Sequence, residues 1–168
     1  YIDFSEIVNS DFSKPVFLKD VAVQIENSEN FDQRVNFGPL INSEIVTLLK
    51  KTSKSKRFCN TKLCGFISST DIEQEKQFAS ISFIFENKTN LIIFRGTDQS
   101  LIGWKEDFNM AYKLPIPAHI EAVNYFDKAC KKLKGKFRLA GHSKGGNLSI
   151  FAGTYCIPKY QNRIIEIF

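Results

Sequence analysis

Between the apolar run 137–141 and the helical pattern 147–155 stands Gly141-His142-Ser143-Lys144-Gly145-Gly146. A strand that gives way to a helix this quickly, with glycine two places before and two places after a serine, restricts the segment to a strand–turn–helix unit. The turn is too sharp for bulk at Gly141 or Gly145, and Gly146 lets helix and strand approach closely. Such a turn exposes the Ser143 hydroxyl and aims the N-terminus of the next helix at it, where free amides favour developing negative charge. That makes Ser143 a candidate nucleophile. The same geometry suits a phosphate-binding turn, or a serine that only caps the helix.

The rest of the chain sets the context of that turn. From Lys62 onward the apolar period is two, so 63–68, 78–86 and 91–95 read as strands, joined by a polar turn at 71–76 and a hairpin turn at Asn87-Lys88-Thr89-Asn90. A fourth extended piece is expected over 107–113, ending at Pro115 and Pro117. Ile120, Val123, Phe126, Cys130 and Leu133 then mark a helix stopped by Gly135, and 164–168 a last strand. Nearer the N-terminus, Phe17, Leu18, Val21, Ala22 and Ile25 fit a helical period, although Val21-Ala22-Val23 reads equally as extended. After Gly38-Pro39, the residues Ile41, Ile45, Leu48 and Leu49 form an amphipathic helical stripe.

Antiparallel strands followed by alternating helices and strands predict an α/β fold: a mixed, largely parallel sheet with helices on both faces. With 168 residues, 43% of them apolar, the chain is expected to be a single domain, with a partly helical region over 1–60 and the sheet core over 61–168. Ligands in such sheets bind at the carboxyl ends of the strands.

Charge and cysteine usage narrow the partners. The net charge of +5 gathers at Lys50, Lys51, Lys54, Lys56 and Arg57 and again at Lys128, Lys131, Lys132, Lys134, Lys136 and Arg138. Both clusters flank helix ends, where cations complement the macrodipole, and neither interleaves the aromatics of a nucleic-acid platform, so no nucleic-acid partner is expected. Apolar runs such as 91–94 fall far short of the ~18–20 residues of a membrane span, and no charged-then-apolar signal pattern is read in residues 1–168. Stable membrane insertion is therefore not expected, and a cytoplasmic location is. Cys59, Cys64, Cys130 and Cys156 form no C-x-x-C pair, and with two histidines in the chain they make no ordinary zinc set. They are expected as small hydrophobes in a reducing compartment, with no metal and no cofactor.

Acyl transfer at Ser143 requires two backbone amides facing the developing oxyanion. One would come from Lys144, the residue after the nucleophile. The other suits Gly96-Thr97, in the Phe94-Arg95-Gly96-Thr97-Asp98 segment that ends the 91–95 strand, where the Thr97 hydroxyl could add a donor. A plain turn capped by Thr97 or Asp98 is the alternative. Asp107 is expected to accept hydrogen bonds from the loop 96–103 and hold it over the site.

Phe94-Arg95-Gly96-Thr97, then Gly103-Trp104 and Asp107, then Gly141-His142-Ser143-Lys144-Gly145-Gly146-Asn147 occur in an order that resembles the class 3 (fungal-type) lipases over residues 57–168. Residues 75–147 are similar, more closely still, to a bacterial α/β-hydrolase family of unknown function related to them. Its wording includes Gly-Trp-Lys-Glu-Asp-Phe-Asn and Gly-His-Ser-Lys-Gly-Gly-Asn. The resemblance implies an α/β-hydrolase-like sheet, Ser143 as nucleophile and Thr97 in the oxyanion hole. It also implies a short, less apolar counterpart of the lipase lid at 99–104. Asp98, Trp104 and Asp107 are expected to support the loop around it. The implied activity is hydrolysis of a small acyl ester; the alternative is a non-catalytic module of the same fold that binds a ligand or partner.

A serine nucleophile also needs a base and a group to orient it. No histidine follows Ser143, and Glu166 is the only acid after it. His142 and Lys144 adjoin the serine, so their side chains should point away from it, and His119 is expected at the rim of the site near a helix start. The acid and base are accordingly expected after Phe168, with the chain truncated there and nearly inactive alone.

Overall fold

A computed structural model describes residues 1–36 and 44–168. Alternation along β4 (Asn90–Phe94) shows how the layers form: Ile92 and Phe94 face one apolar cluster and Ile93 packs on the other. The first cluster joins the sheet to α5 (Pro117–Lys132) and α6 (Lys144–Tyr155) through Phe78, Phe126, Phe137, Leu139 and Leu148. The second covers the opposite face with the N-terminal segment and α1 (Leu18–Glu26), through Ile2, Phe4, Val21, Ile25, Leu63 and Ile81. Helix therefore wins over extended chain at Val21–Val23. Helix α2 spans Phe31–Arg34 and α3 spans Glu44–Lys54, the latter carrying Ile45, Leu48 and Leu49. Gly38-Pro39 and Ile41 lie outside the described residues.

Among the described residues the sheet has six strands in chain order: β1 (Val16–Phe17), β2 (Lys62–Asp71), β3 (Lys76–Ile84), β4, β5 (Phe137–Gly141) and β6 (Ile164–Ile167). The pairings β1–β2, β2–β3 and β3–β4 are antiparallel, whereas β4–β5 and β5–β6 are parallel. The sheet is thus mixed and mostly antiparallel, which corrects the expectation of a largely parallel one. Connection length is the physical reason. The turns at 72–75 and 85–89 return the chain directly, and a parallel pairing needs a crossover of a dozen residues or more. From β2 onward the chain has that length only after β4 and after β5, where α4 (Leu101–Met110) with α5, and α6 with α7 (Pro158–Gln161), carry it across.

The expected extended piece at 107–113 is a second correction. Helix α4 runs Leu101–Met110, capped by Ser100, whose Oγ accepts a hydrogen bond from the Gly103 amide at 3.0 Å. Its buried stripe is Gly103, Glu106 and Asn109, while Leu101 is 81% and Phe108 70% exposed. A helix that buries polar residues and exposes apolar ones inverts the pattern by which periodicity finds helices.

Cys64, Cys130 and Cys156 are buried and all four cysteines are free. Burial pushes the Cys64 and Cys130 thiols up to about 12 and the Cys156 thiol up to about 11. Among the described residues no cluster of His, Cys, Asp and Glu could hold a metal ion, and no helix is long and apolar enough to cross a membrane.

Candidate active site

Because β4 and β5 are parallel neighbours with Phe94 opposite Gly141, the loops that follow them leave the sheet side by side. Their backbones touch. A Cβ on Gly96 would lie 2.5 Å from the His142 carbonyl oxygen, one on Gly145 2.1 Å from that of Phe94, and one on Gly141 2.2 Å from the Gly145 carbonyl carbon. Gly146 is less confined, its Cβ position lying 3.1 Å from the Gly141 carbonyl oxygen.

Between these glycines Ser143 has φ 58° and ψ −127°, a left-handed backbone that costs a non-glycine residue roughly 1–3 kcal/mol. It is exposed and occupies the N-cap position of α6, yet its side chain makes no capping hydrogen bond. The Gly145 amide turns back to the His142 carbonyl at 3.0 Å and the Gly146 amide to that of Ser143 at 2.9 Å. The Lys144 amide, first of the helix, has no backbone acceptor among the described residues, as helix termini dictate.

The Lys144 side chain is fully buried. Its ammonium donates at 2.8 Å to each of Glu106 Oε2, the Gln77 carbonyl oxygen and Gln77 Oε1. Glu106 is completed by the Gln77 amide on Oε2 and the Ala118 amide on Oε1, each at 3.1 Å. With three protons committed, Lys144 Nζ is not available to Ser143 as a base.

On the β4 loop, Thr97 Oγ1 donates to Asp107 Oδ2 at 2.5 Å, which spends the only hydroxyl proton and leaves the backbone amide as the donor Thr97 can offer. Asp107 Oδ1 is buried without a described partner. Asp98 accepts from the Ser100 amide and hydroxyl through Oδ1, and pairs with Arg95 at 3.3 Å through Oδ2, so it folds the segment that starts α4. Trp104, 45% exposed, lies on α4 in the segment 99–104, which forms the cap and first turn of that helix.

His119 is not at the rim but fully buried. Its Nδ1 accepts from the Ile116 amide at 3.1 Å, which places the proton on Nε2, and that proton goes to Asn147 Oδ1 at 2.6 Å. The ring stacks on Phe151 with centroids 4.1 Å apart. His142 is exposed and lines a cavity of about 160 Å³ with Tyr1, Phe66, Ile81 and Arg95.

Sequence reasoning missed Glu106 and Gln77 as parts of the site. Glu106 stands inside the Gly-Trp-Lys-Glu-Asp motif, but nothing in its spacing signals that an acid buries itself against a lysine 38 residues away. The Mbeg1-like family matches residues 52–168, a span that includes Gln77, Thr97, Glu106, Asp107 and Ser143. No curated protein matches the chain, and no solved structure does.

Proposed function

The chain belongs to the Mbeg1-like family, and we propose that it is a serine hydrolase of acyl esters, with Ser143 as nucleophile and the Thr97 and Lys144 amides as oxyanion donors. The carrying observation is the backbone of Ser143: a non-glycine residue held in a strained turn walled by glycines, its hydroxyl exposed and unused by the helix it precedes. Strain of this kind clusters at functional sites. The α/β-hydrolase-like reading of the fold goes with this proposal, supported by the parallel trio β4–β6 and by the β5–turn–α6 unit at the carboxyl end of its strand.

In this reading Ser143 Oγ gives its proton to a base and attacks the ester carbonyl carbon, and the carbonyl oxygen takes up negative charge between the two amides. The base passes that proton to the alcohol, which leaves as the acyl-serine forms; water, deprotonated by the same base, then attacks the acyl-serine and releases the acid and the Ser143 hydroxyl. The Thr97–Asp107 hydrogen bond fixes the β4 loop for that task, and the start of α6 adds the field of its amide dipoles. The substrate is a small acyl ester reached from the exposed side of the turn.

A non-catalytic binding module is the second reading. Its support is that His119 has both ring nitrogens engaged and Lys144 Nζ is spent on Glu106 and Gln77. Hydrolysis of p-nitrophenyl esters of graded acyl length by the full natural chain separates the two. Turnover that Ser143→Ala lowers by about 1,000-fold or more supports the hydrolase. Turnover indifferent to that substitution, or none at all, supports the module.

A further inference from the structure

Lys144 and Glu106 form an ion pair with 0% exposure of either side chain and an N···O distance of 2.8 Å. Desolvating two charges offsets most or all of what their attraction returns, and apolar residues of similar volume often serve stability better. A pair of this kind is best understood by what it orients. Lys144 is the first residue of α6 and the neighbour of Ser143, so its amide is anchored by its own side chain. The network it enters ties that amide to the start of β3 through Gln77, to α4 through Glu106 and to the start of α5 through Ala118. The arrangement tolerates a cost elsewhere: Gln77 turns its oxygen to Lys144 and leaves Nε2 buried without a described partner.

The next residue on α4, Asp107, holds the Thr97 hydroxyl. Consecutive carboxylates of one helix thus hold one loop each, Glu106 the loop after β5 and Asp107 the loop after β4. We propose that Glu106 is a positioning residue for ester hydrolysis: through its ion pair with Lys144 it fixes the start of α6 relative to α4, and so sets the Lys144 amide against the Thr97 amide. The proposal rests on Ser143 being the nucleophile.

Truncating either partner alone strands a buried charge, so the test uses Glu106→Gln/Lys144→Met, which removes both charges and shortens only the side chain at 144, by one atom. In the full natural chain this variant is expected to fold and to melt below the wild type, because the Gln77 carbonyl and Oε1 lose their donor. Its kcat on p-nitrophenyl acetate should fall by about 100-fold, the scale of one oxyanion donor lost, with KM little changed. Hydrogen exchange should quicken in 96–110 and 143–147 while β3 to β5 stay protected. Wild-type kcat in the folded variant, or a loss confined to KM, overturns the proposal. Should the wild type itself show no Ser143-dependent turnover, the reading of Ser143 fails and the exchange arm decides the clamp separately. Faster exchange in both loops supports the clamp, and wild-type exchange overturns it.

Discussion

The two ends of β4 and β5 face the same problem, two loops pressed together, and settle it differently. At the amino ends the close approach is absorbed by Gly135, with φ 92° and a Cβ position 2.1 Å from the Lys88 carbonyl oxygen. Asn90 donates to the Lys134 and Lys136 carbonyls at 2.8 and 3.2 Å, and Arg163 binds the carbonyls of Cys130, Leu133 and Gly135. Lys88, at φ 63°, is a surface turn residue. At the carboxyl ends glycine again makes the room, but the residue at the apex is a serine. An ion pair is buried beside it, and Asp107 Oδ1 and Gln77 Nε2 lack described partners. A chain that needed only to fold has the amino-end solution at hand. An exposed serine at positive φ and unpaired buried groups, left together at the carboxyl end, are the reason we propose the site there.

Substitutions on both ends break or sharpen that contrast. Gly145→Ala drives a Cβ into the Phe94 backbone between two sheet strands, and a loss above about 4 kcal/mol, or no folded protein, is expected in urea titrations. Lys144→Met alone leaves Glu106 charged and buried and should cost about 3–5 kcal/mol by the same measurement. At the other end Asn90→Ala removes two hydrogen bonds from a buried side chain, for about 1–3 kcal/mol, while the reactivity of Ser143 stays at wild-type level. Arg138→Ala breaks a pair with Glu166 whose side chains are 35% and 47% exposed, and should change the melt by less than about 1 kcal/mol. Equal losses for Lys144→Met and Arg138→Ala would erase the distinction between the two ends.

What the sequence made legible follows the same division. Strands β2 to β5 and helix α5 show in apolar period because each buries an apolar face, and the elbow shows because its glycines are required by backbone contact. Helix α4 does not show, since its inward stripe is Gly103, Glu106 and Asn109, residues buried by hydrogen bonding rather than by hydrophobicity. The Gln77–Glu106–Lys144 network joins residues 38 and 67 positions apart, a distance no local pattern encodes. His119 reads as a rim residue from its place at a helix start, yet packing against Phe151 and Asn147 takes it into the interior.

The central claim is that the strained, exposed hydroxyl of Ser143 is a nucleophile, and covalent labelling addresses it most directly. The full natural chain is treated with an alkyl fluorophosphonate and the adduct located by peptide mass spectrometry. A single adduct is expected on Ser143, absent from Ser143→Ala and from the unfolded protein. A folded protein that takes up no label, or takes it elsewhere, contradicts it.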